Sequence, residues 1–296
     1  MKSPVSLKMA EPLRLGTRGS RLALTQSRQV GAAITAVTGV AVELVQFTTR
    51  GDRIQDKPLP EIGGKGLFTA ELECALREGQ IDLAVDSLKD LPTDDPDGLM
   101  LGAIPKRVDA RDALVGSALA SLPSGSVVAT GSVRRRVQLL DLRPDLVVQD
   151  IRGNVPTRIQ KRDDGQCAAT ILAMAGLQRL GIERSDIHPF GVETMIPAVG
   201  QGALGVQCRM DDPRVLRLLA GVDDEQTRRC VDAERAFLVA VGGGCNVPAG
   251  CHAVIDGDSI SAIACLHTEE RGLRRASARS SEPAGLGRAL AGALLG

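Results

Sequence analysis

The sequence is very poor in aromatic residues. It has no Trp, no Tyr and four Phe among 296 residues. The core must therefore be aliphatic, and neither base-stacking surfaces nor aromatic membrane belts have side chains to build them. Net charge is also zero, because 36 basic residues balance 36 acidic ones. This balance disfavours a protein that coats nucleic acid through uniform positive charge.

Long hydrophobic runs and metal-ligand patterns are missing as well. No apolar run approaches the roughly 18 residues of a membrane span, and residues 1–12 lack the apolar stretch of a signal peptide. The seven cysteines contain no CxxC pair, and the three histidines show no HxxH or HExxH spacing. We therefore expect neither a disulfide framework nor a zinc site. This cysteine usage favours a protein of the reducing cytoplasm.

Arginine is what the sequence has in abundance. Of the 36 basic residues, seven are Lys and the other 29 are Arg. The guanidinium group is a planar fork that suits carboxylates and phosphates. The length, with 43% hydrophobic and 24% charged residues, fits a globular chain of about two or three domains.

Strand-like and helix-like segments alternate through the first two-thirds of the chain. The pattern predicts strands at residues 13–15, 42–47, 81–85, 127–130, 147–149 and 169–172, and helices at 20–37, 67–77, 132–142 and 155–162. This alternation is typical of a mostly parallel α/β sheet. The last third predicts an α+β module, with a helix at 224–241, a hairpin from 249–255 and 259–266, and a helix at 283–295.

Arginines and hydroxyl residues follow four of the predicted strands. Ligands of open α/β sheets bind at the carboxyl ends of strands, where helix N-termini and Arg side chains favour anions. Few acidic residues lie in these segments, so they predict an unpaired clamp for a molecule with several carboxylates or phosphates. Each site taken alone could instead be a solvated helix face. The residues with this placement are Arg18, Ser20, Thr130, Ser132, Arg134, Arg135, Arg152, Arg158 and Arg179.

Carboxylates follow another predicted strand. Residues 82–92 end a strand and present Asp86, Lys89 and Asp90. An Asp among arginines can stay ionised, stabilise a developing cation and move a proton. The alternative is a turn in which the Asp only caps a helix.

Two glycine-rich segments complete the candidate chemistry. Cys245 lies in the segment Gly-Gly-Gly-Cys-Asn-Val-Pro, where a thiolate is sterically open for covalent attachment. The alternative is an inert buried thiol. Residues 61–68 superficially suggest a phosphate-binding loop, but Gly66 follows Lys65 where that motif needs Ser or Thr. A mobile lid is the better interpretation.

Eight segments together resemble the hydroxymethylbilane synthases, also called porphobilinogen deaminases. They occur in the order of that family and span nearly the whole chain. They are residues 48–52 (TTRGD), 63–68 (GGKGLF), 84–92 (AVDSLKDLP), 129–135 (ATGSVRR), 152–158 (RGNVPTR), 171–181 (ILAMAGLQRLG), 197–209 (PAVGQGALGVQCR) and 243–248 (GGCNVP).

The resemblance implies an α/β protein of three domains. Two domains would have the periplasmic-binding-protein type II fold, with residues 1–105 and 198–221 in the first and 106–197 in the second. Residues 222–296 would form a small α+β domain that carries the cysteine loop. Lys65 and Phe68 match a mobile loop over the site.

The resemblance also implies an activity. The family condenses four porphobilinogen molecules, with loss of ammonia, into hydroxymethylbilane on a dipyrromethane cofactor, here expected as a thioether to Cys245. Asp90 matches the catalytic residue, and Lys89 with the nine residues after the strands matches the cofactor- and substrate-binding positions. Every pyrrole carries an acetate and a propionate group, which suits bidentate arginines.

Departures from the family pattern, of which Asp86 affects the charge most, and two alternative functions bear on this interpretation. Asp86 stands where the family usually has His, and an extra carboxylate changes the electrostatics of the pocket. A non-catalytic binding protein for a polycarboxylate could use the same fold, but it would need neither Cys245 nor Asp90. A nucleic-acid-binding role for the arginines is disfavoured by the charge balance. We therefore expect a monomeric enzyme with a small-molecule substrate and no membrane or nucleic-acid partner.

Overall fold

Three β-sheets organise the part of the chain that the structure describes. The computed structural model describes residues 11–49, 51, 69–243 and 247–296. Lys65, Phe68 and Cys245 lie outside the described residues, so the predictions for these side chains stay predictions. In the described part, no helix has the length and apolar character needed to cross a bilayer.

The first sheet combines an early part of the chain with a late strand. Its strands have the order β2-β1-β3-β10-β4. They are β1 (Leu13–Arg18), β2 (Val42–Phe47), β3 (Leu83–Ser87), β4 (Leu99–Ala103) and β10 (Leu204–Arg209). Its helices are α1 (Arg21–Thr38), α2 (Ala70–Arg77) and α6 (Pro213–Leu219).

The second sheet lies between these two parts in sequence. Its order is β7-β6-β8-β5-β9. The strands are β5 (Asp112–Gly116), β6 (Val127–Ala129), β7 (Val147–Gln149), β8 (Ala169–Ala173) and β9 (Ile187–Pro189). Its helices are α3 (Val133–Leu142), α4 (Val155–Asp163) and α5 (Met174–Arg179).

The two sheets share one topology. In each, three parallel strands are followed by one strand that pairs antiparallel on both sides, β10 in the first sheet and β5 in the second. The expected type II binding-protein fold is confirmed. Four of the five strands in each sheet therefore run in one direction, so the expectation of mostly parallel sheets is confirmed. The one reversed strand in each sheet was not predicted, because the hydrophobic pattern of a strand does not encode its direction.

A third, antiparallel sheet carries the C-terminal module. It has the order β11-β12-β13, with β11 (Ala249–Asp256), β12 (Ser259–Thr268) and β13 (Gly272–Ser280). Helices α7 (Glu225–Ala240) and α8 (Pro283–Leu295) cover it. A Cβ at Gly287 would lie 2.5 Å from Ala233 O, so glycine permits the close packing of these helices. The hairpin is confirmed, but β13 was not predicted because three arginines interrupt its apolar pattern.

Local signals located most helix starts correctly. Ser20 caps α1, since its side chain accepts a hydrogen bond from Ala23 N at 3.2 Å, and Ser132 caps α3 in the same way. The helix predicted from residue 67 has its described part at Ala70–Arg77, after Thr69. Arg18 was expected to follow its strand, yet it is the last residue of β1, because the strand is longer than its apolar core.

Candidate active site

Asp90 and Lys89 lie on a short 3-10 turn directly after β3. The turn spans Leu88–Asp90, with Leu88 buried, Lys89 half-buried and Asp90 exposed. Asp86 lies within β3 and is only 6% exposed. Asp90 is therefore exposed to solvent beyond the carboxyl end of β3, whereas Asp86 is buried within the sheet.

Two hydroxyl groups organise the turn between β6 and α3. Thr130 is fully buried, and its Oγ1 accepts a hydrogen bond from Ser132 N at 3.2 Å. Ser132 Oγ accepts from Arg135 N at 3.4 Å. Because both hydroxyls act as acceptors here, each keeps its proton for donation to another group.

Arg134 and Arg135 form a buried cluster with Asp112, which the sequence did not single out. Arg134 Nη1 lies 2.8 Å from Asp112 Oδ2, and Arg135 Nη2 lies 2.7 Å from Asp112 Oδ1. The guanidinium groups also donate to the carbonyl oxygens of Ile196 and Ile171. The expectation of unpaired arginines is therefore wrong for these two, since their acidic partner comes from β5, outside the local motif.

This cluster is preorganised by its electrostatics. Burial alone would raise the pKa of the Asp112 carboxyl, but Arg134 and Arg135 outweigh that effect and hold the pKa well below its usual range. Gln201 Nε2 donates to Asp112 Oδ1 at 2.9 Å. Asp112 is therefore ionised, lies within ion-pair distance of both guanidinium groups and fixes their orientation.

Asp90 interacts electrostatically with the adjacent Lys89 and with Arg158 of the second sheet. Burial, together with Arg135 and Arg152, lowers the pKa of Arg158 to about 10, whereas Asp90 acts in the opposite direction. Burial also lowers the pKa of Lys89, with Asp90 acting in the opposite direction. Asp90 thus acts on the charges of Lys89 and Arg158, and Arg152 acts on that of Arg158, whereas the binding roles of these residues stay predictions. Arg158 Nε donates to Gly153 O at 2.8 Å, which orients its side chain.

Arg179 ends α5 and reaches across to the segment that precedes β10. Its Nη2 donates to Gly202 O at 2.8 Å. Its buried Nε has no hydrogen-bond acceptor among the described residues, and burial lowers the pKa of the guanidinium to about 10. A buried donor of this kind favours an anionic acceptor.

The donor set fits a ligand with several carboxylates. Repulsion from the Arg152 charge lowers the pKa of Arg158, and a bound anion would offset that repulsion. A bound anion would also supply the acceptor that the buried Arg179 Nε lacks among the described residues. The described residues contain no group of three or more His, Cys, Asp or Glu side chains that could hold a metal ion. Carboxylates recognised by arginine are therefore the ligand chemistry that these residues suit.

The fold and the site define a two-sheet α/β protein whose arginine-rich site suits a polyanionic ligand. Among solved structures, the chain is similar to the methionine binding protein MetQ, with 16% sequence identity and a TM-score of 0.43 over 73% of this chain and 91% of that chain.

The chain is much more similar in sequence to curated proteins than to this solved structure. Residues 13–217 match the family "Porphobilinogen deaminase, dipyromethane cofactor binding domain", and residues 228–296 match "Porphobilinogen deaminase, C-terminal domain". The porphobilinogen deaminases of Roseiflexus sp. (strain RS-1) and Roseiflexus castenholzii (strain DSM 13941 / HLO8) are 50% and 49% identical over 295 residues, each covering 97% of both chains. The chain belongs to the porphobilinogen deaminase family. These relatives support an enzyme with a dipyrromethane cofactor, not a non-catalytic binding protein.

Proposed function

We propose that the chain condenses four porphobilinogen molecules head to tail, with loss of ammonia, into hydroxymethylbilane. The single observation that carries this proposal is the position of the Asp90 carboxylate, which interacts electrostatically with both Lys89 and Arg158. A binding site for polycarboxylates needs only the cations. A carboxylate placed among these cations would stabilise positive charge that develops on the bound molecule during a reaction.

Asp90 is the catalytic residue in this proposal. Loss of ammonia from porphobilinogen leaves an electron-poor carbon, and coupling to it puts positive charge on a pyrrole ring. An ionised Asp90 facing the pyrrole N–H groups stabilises that charge and takes part in proton movement. Its exposed position on the turn after β3 leaves room for a substrate to reach it.

The binding residues divide by their contacts in the structure. Arg134 and Arg135 are held by Asp112, whereas Lys89 and Arg158 interact electrostatically with Asp90, and Arg152 with Arg158. Arg18, Ser20, Thr130, Ser132 and Arg179 complete the proposed set for the acetate and propionate groups. When bound through Cys245, the dipyrromethane group supplies the pyrrole to which the first substrate is joined.

We also propose the domain limits 1–105 with 198–221, 106–197, and 222–296. They are supported by the strands of the three sheets, which come from residues 13–103 with 204–209, 112–189, and 249–280. A monomer in the cytoplasm that binds neither nucleic acid nor membrane completes the proposal. Free cysteines, such as those among the described residues, are compatible with a reducing compartment. Light scattering of the purified chain measures its mass in solution and so tests the monomer.

Intact mass under denaturing conditions tests the function most directly. The parent chain should carry extra mass equal to two pyrrole units, and Cys245→Ser should lack it. The exposed Cys74 provides a matched control, and Cys74→Ser should keep the extra mass. If the parent chain has only the mass of the polypeptide, it is incubated with porphobilinogen and its intact mass is measured again.

Two results would contradict the proposal. One is a parent chain that gains no adduct after incubation with porphobilinogen. The other is an adduct that persists in Cys245→Ser, which would remove that cysteine from the attachment role. Production of hydroxymethylbilane by the adduct-bearing chain is the accompanying activity measurement.

A further inference from the structure

We propose that Arg235, in the C-terminal module, is a positioning residue that holds the turn bearing Asp90. This inference rests on the proposed catalytic role of Asp90. Arg235 itself is not placed among the ligand-binding cations. Its guanidinium Nη2 donates to Pro92 O at 2.8 Å and to Thr93 O at 2.9 Å, two and three residues after Asp90.

The segment after Asp90 depends on these hydrogen bonds. Before Asp90, Leu88 N donates to Ala203 O at 3.1 Å, which ties the start of the turn to the residue that precedes the strand β10. Within the turn, Leu91 N donates to Leu88 O at 3.1 Å. Pro92 has no N–H to donate, so its carbonyl group is its only backbone hydrogen-bonding group. Arg235 therefore holds the end of the turn that backbone pairing does not hold.

The same helix also contacts the other side of the turn. Val231, fully buried and one helical turn before Arg235 in α7, belongs to the apolar cluster that contains Leu88, with Leu91 packed against it. Residues four apart lie on one face of a helix. One face of α7 thus holds the turn by apolar packing on one side and by two hydrogen bonds on the other.

The charge around Arg235 suits this structural contact. Burial lowers the pKa of its guanidinium, while Asp95 and Asp94 act in the opposite direction. A partly desolvated guanidinium that donates two hydrogen bonds resists displacement more than an exposed one. The long side chain therefore acts as a fixed spacer between α7 and the segment after Asp90.

Misplacing Asp90 should affect the chemical step rather than substrate binding. A shift of about 1 Å in a catalytic group can cost roughly a hundredfold in rate. The cations Arg152 and Arg158 come from the second sheet and do not touch Arg235 in the hydrogen bonds described. Loss of Arg235 should therefore lower kcat and leave the KM for porphobilinogen nearly unchanged.

The test uses Arg235→Met in the full-length, adduct-bearing enzyme. Methionine keeps an apolar stem for packing but loses both donors. We expect kcat to fall by about tenfold or more, with KM within about twofold, and with the adduct mass and thermal unfolding midpoint close to those of the parent. Arg235→Lys, which keeps a cation and a donor, should recover part of kcat.

Arg229→Met is the matched control. Arg229 lies on the same helix, but its guanidinium donates to Asp258 O at 3.3 Å, away from the turn. Its kinetics should equal those of the parent. If Arg235→Met does not fold, Arg235→Leu, which also lacks a donor, takes its place, with the same expected loss of kcat.

The outcomes separate this inference from the proposed function. A folded Arg235 variant without donors that keeps the parent kcat, or that loses activity through KM alone, would overturn the positioning role. Asp90→Asn is measured in parallel. If Asp90→Asn is inactive and the Arg235 variant is normal, only the inference fails; if Asp90→Asn is fully active, the role of Asp90 fails and the inference with it.

Discussion

Arg107 Nη1 lies 2.6 Å from Glu234 Oε1, and the side chains are 10% and 0% exposed. Glu234, on α7, also accepts hydrogen bonds from Gly200 N at 2.7 Å and Ala253 N at 2.8 Å. Arg107 and Gly200 lie in the two segments that connect the first α/β sheet to the second, and Ala253 lies in β11 of the C-terminal module. The Glu234 carboxylate therefore links both connecting segments to that module. The module is therefore held in place by a buried polar contact as well as by apolar packing.

Glu234→Gln should strongly destabilise the fold. It leaves the Arg107 guanidinium buried without a counter-charge, and breaking a buried ion pair from one side typically costs about 3–5 kcal/mol. Urea unfolding measures the free energy, and Glu225→Gln, at an exposed position in the first turn of the same helix, is the control. A loss no larger for Glu234→Gln than for Glu225→Gln would contradict the proposed anchoring.

Asp112→Asn should destabilise the protein by about 3–5 kcal/mol at neutral pH, because two buried guanidinium groups lose their shared carboxylate. The control is Asp109→Asn, which affects a more exposed pair with Arg111. We expect a cost below about 1 kcal/mol for the control. The comparison uses denaturant unfolding of the three chains under one buffer condition.

The effect of Asp112 should also depend on pH. Its pKa in the folded protein is lower than the value of about 3.9 expected in the unfolded chain. Its stabilisation is therefore fully present above the unfolded pKa and is lost as the pH falls toward the folded pKa. The difference in unfolding free energy between parent and Asp112→Asn should shrink between about pH 5 and about pH 3. A constant difference over this range would argue against an ionised Asp112.

Asp90→Asn should nearly abolish turnover and leave the fold intact. The amide keeps the size of the side chain but cannot stabilise positive charge on a pyrrole, and losing one such electrostatic group typically costs about a hundredfold to a thousandfold in kcat. Asp97→Asn, at an exposed position after the same turn, is the control. Near-normal product formation by Asp90→Asn would remove Asp90 from the mechanism.

Arg158→Ala should weaken substrate binding. A hydrogen bond to a charged group contributes about 1.5–3 kcal/mol, so the KM for porphobilinogen should rise by about tenfold to a hundredfold. Arg162→Ala is the matched control on α4, since Arg162 pairs with Asp163 and Asp186 instead. Steady-state kinetics of both variants decide the point, and an unchanged KM for Arg158→Ala would show that this guanidinium does not bind substrate.

Local sequence determined the elements and much of the candidate site. The capping hydroxyls of Ser20 and Ser132 mark the starts of α1 and α3, because a cap needs only residues three or four positions apart. The turn with Lys89 and Asp90 follows β3, and Arg158 follows β7, as the alternation of strands and helices predicted. The order of the motifs was enough to indicate the family.

Tertiary structure decided strand direction, charge pairing and the contacts between sheets. Strand β10 returns to the first sheet more than one hundred residues after β3, and Asp112 pairs with Arg135 across 23 positions. Glu234 meets Arg107 across 127 positions, and Arg235 meets Pro92 across 143. Such partners are chosen by the packing of distant elements. A pattern of neighbouring residues therefore cannot reveal which arginine stays available for a ligand and which is held by a buried acid.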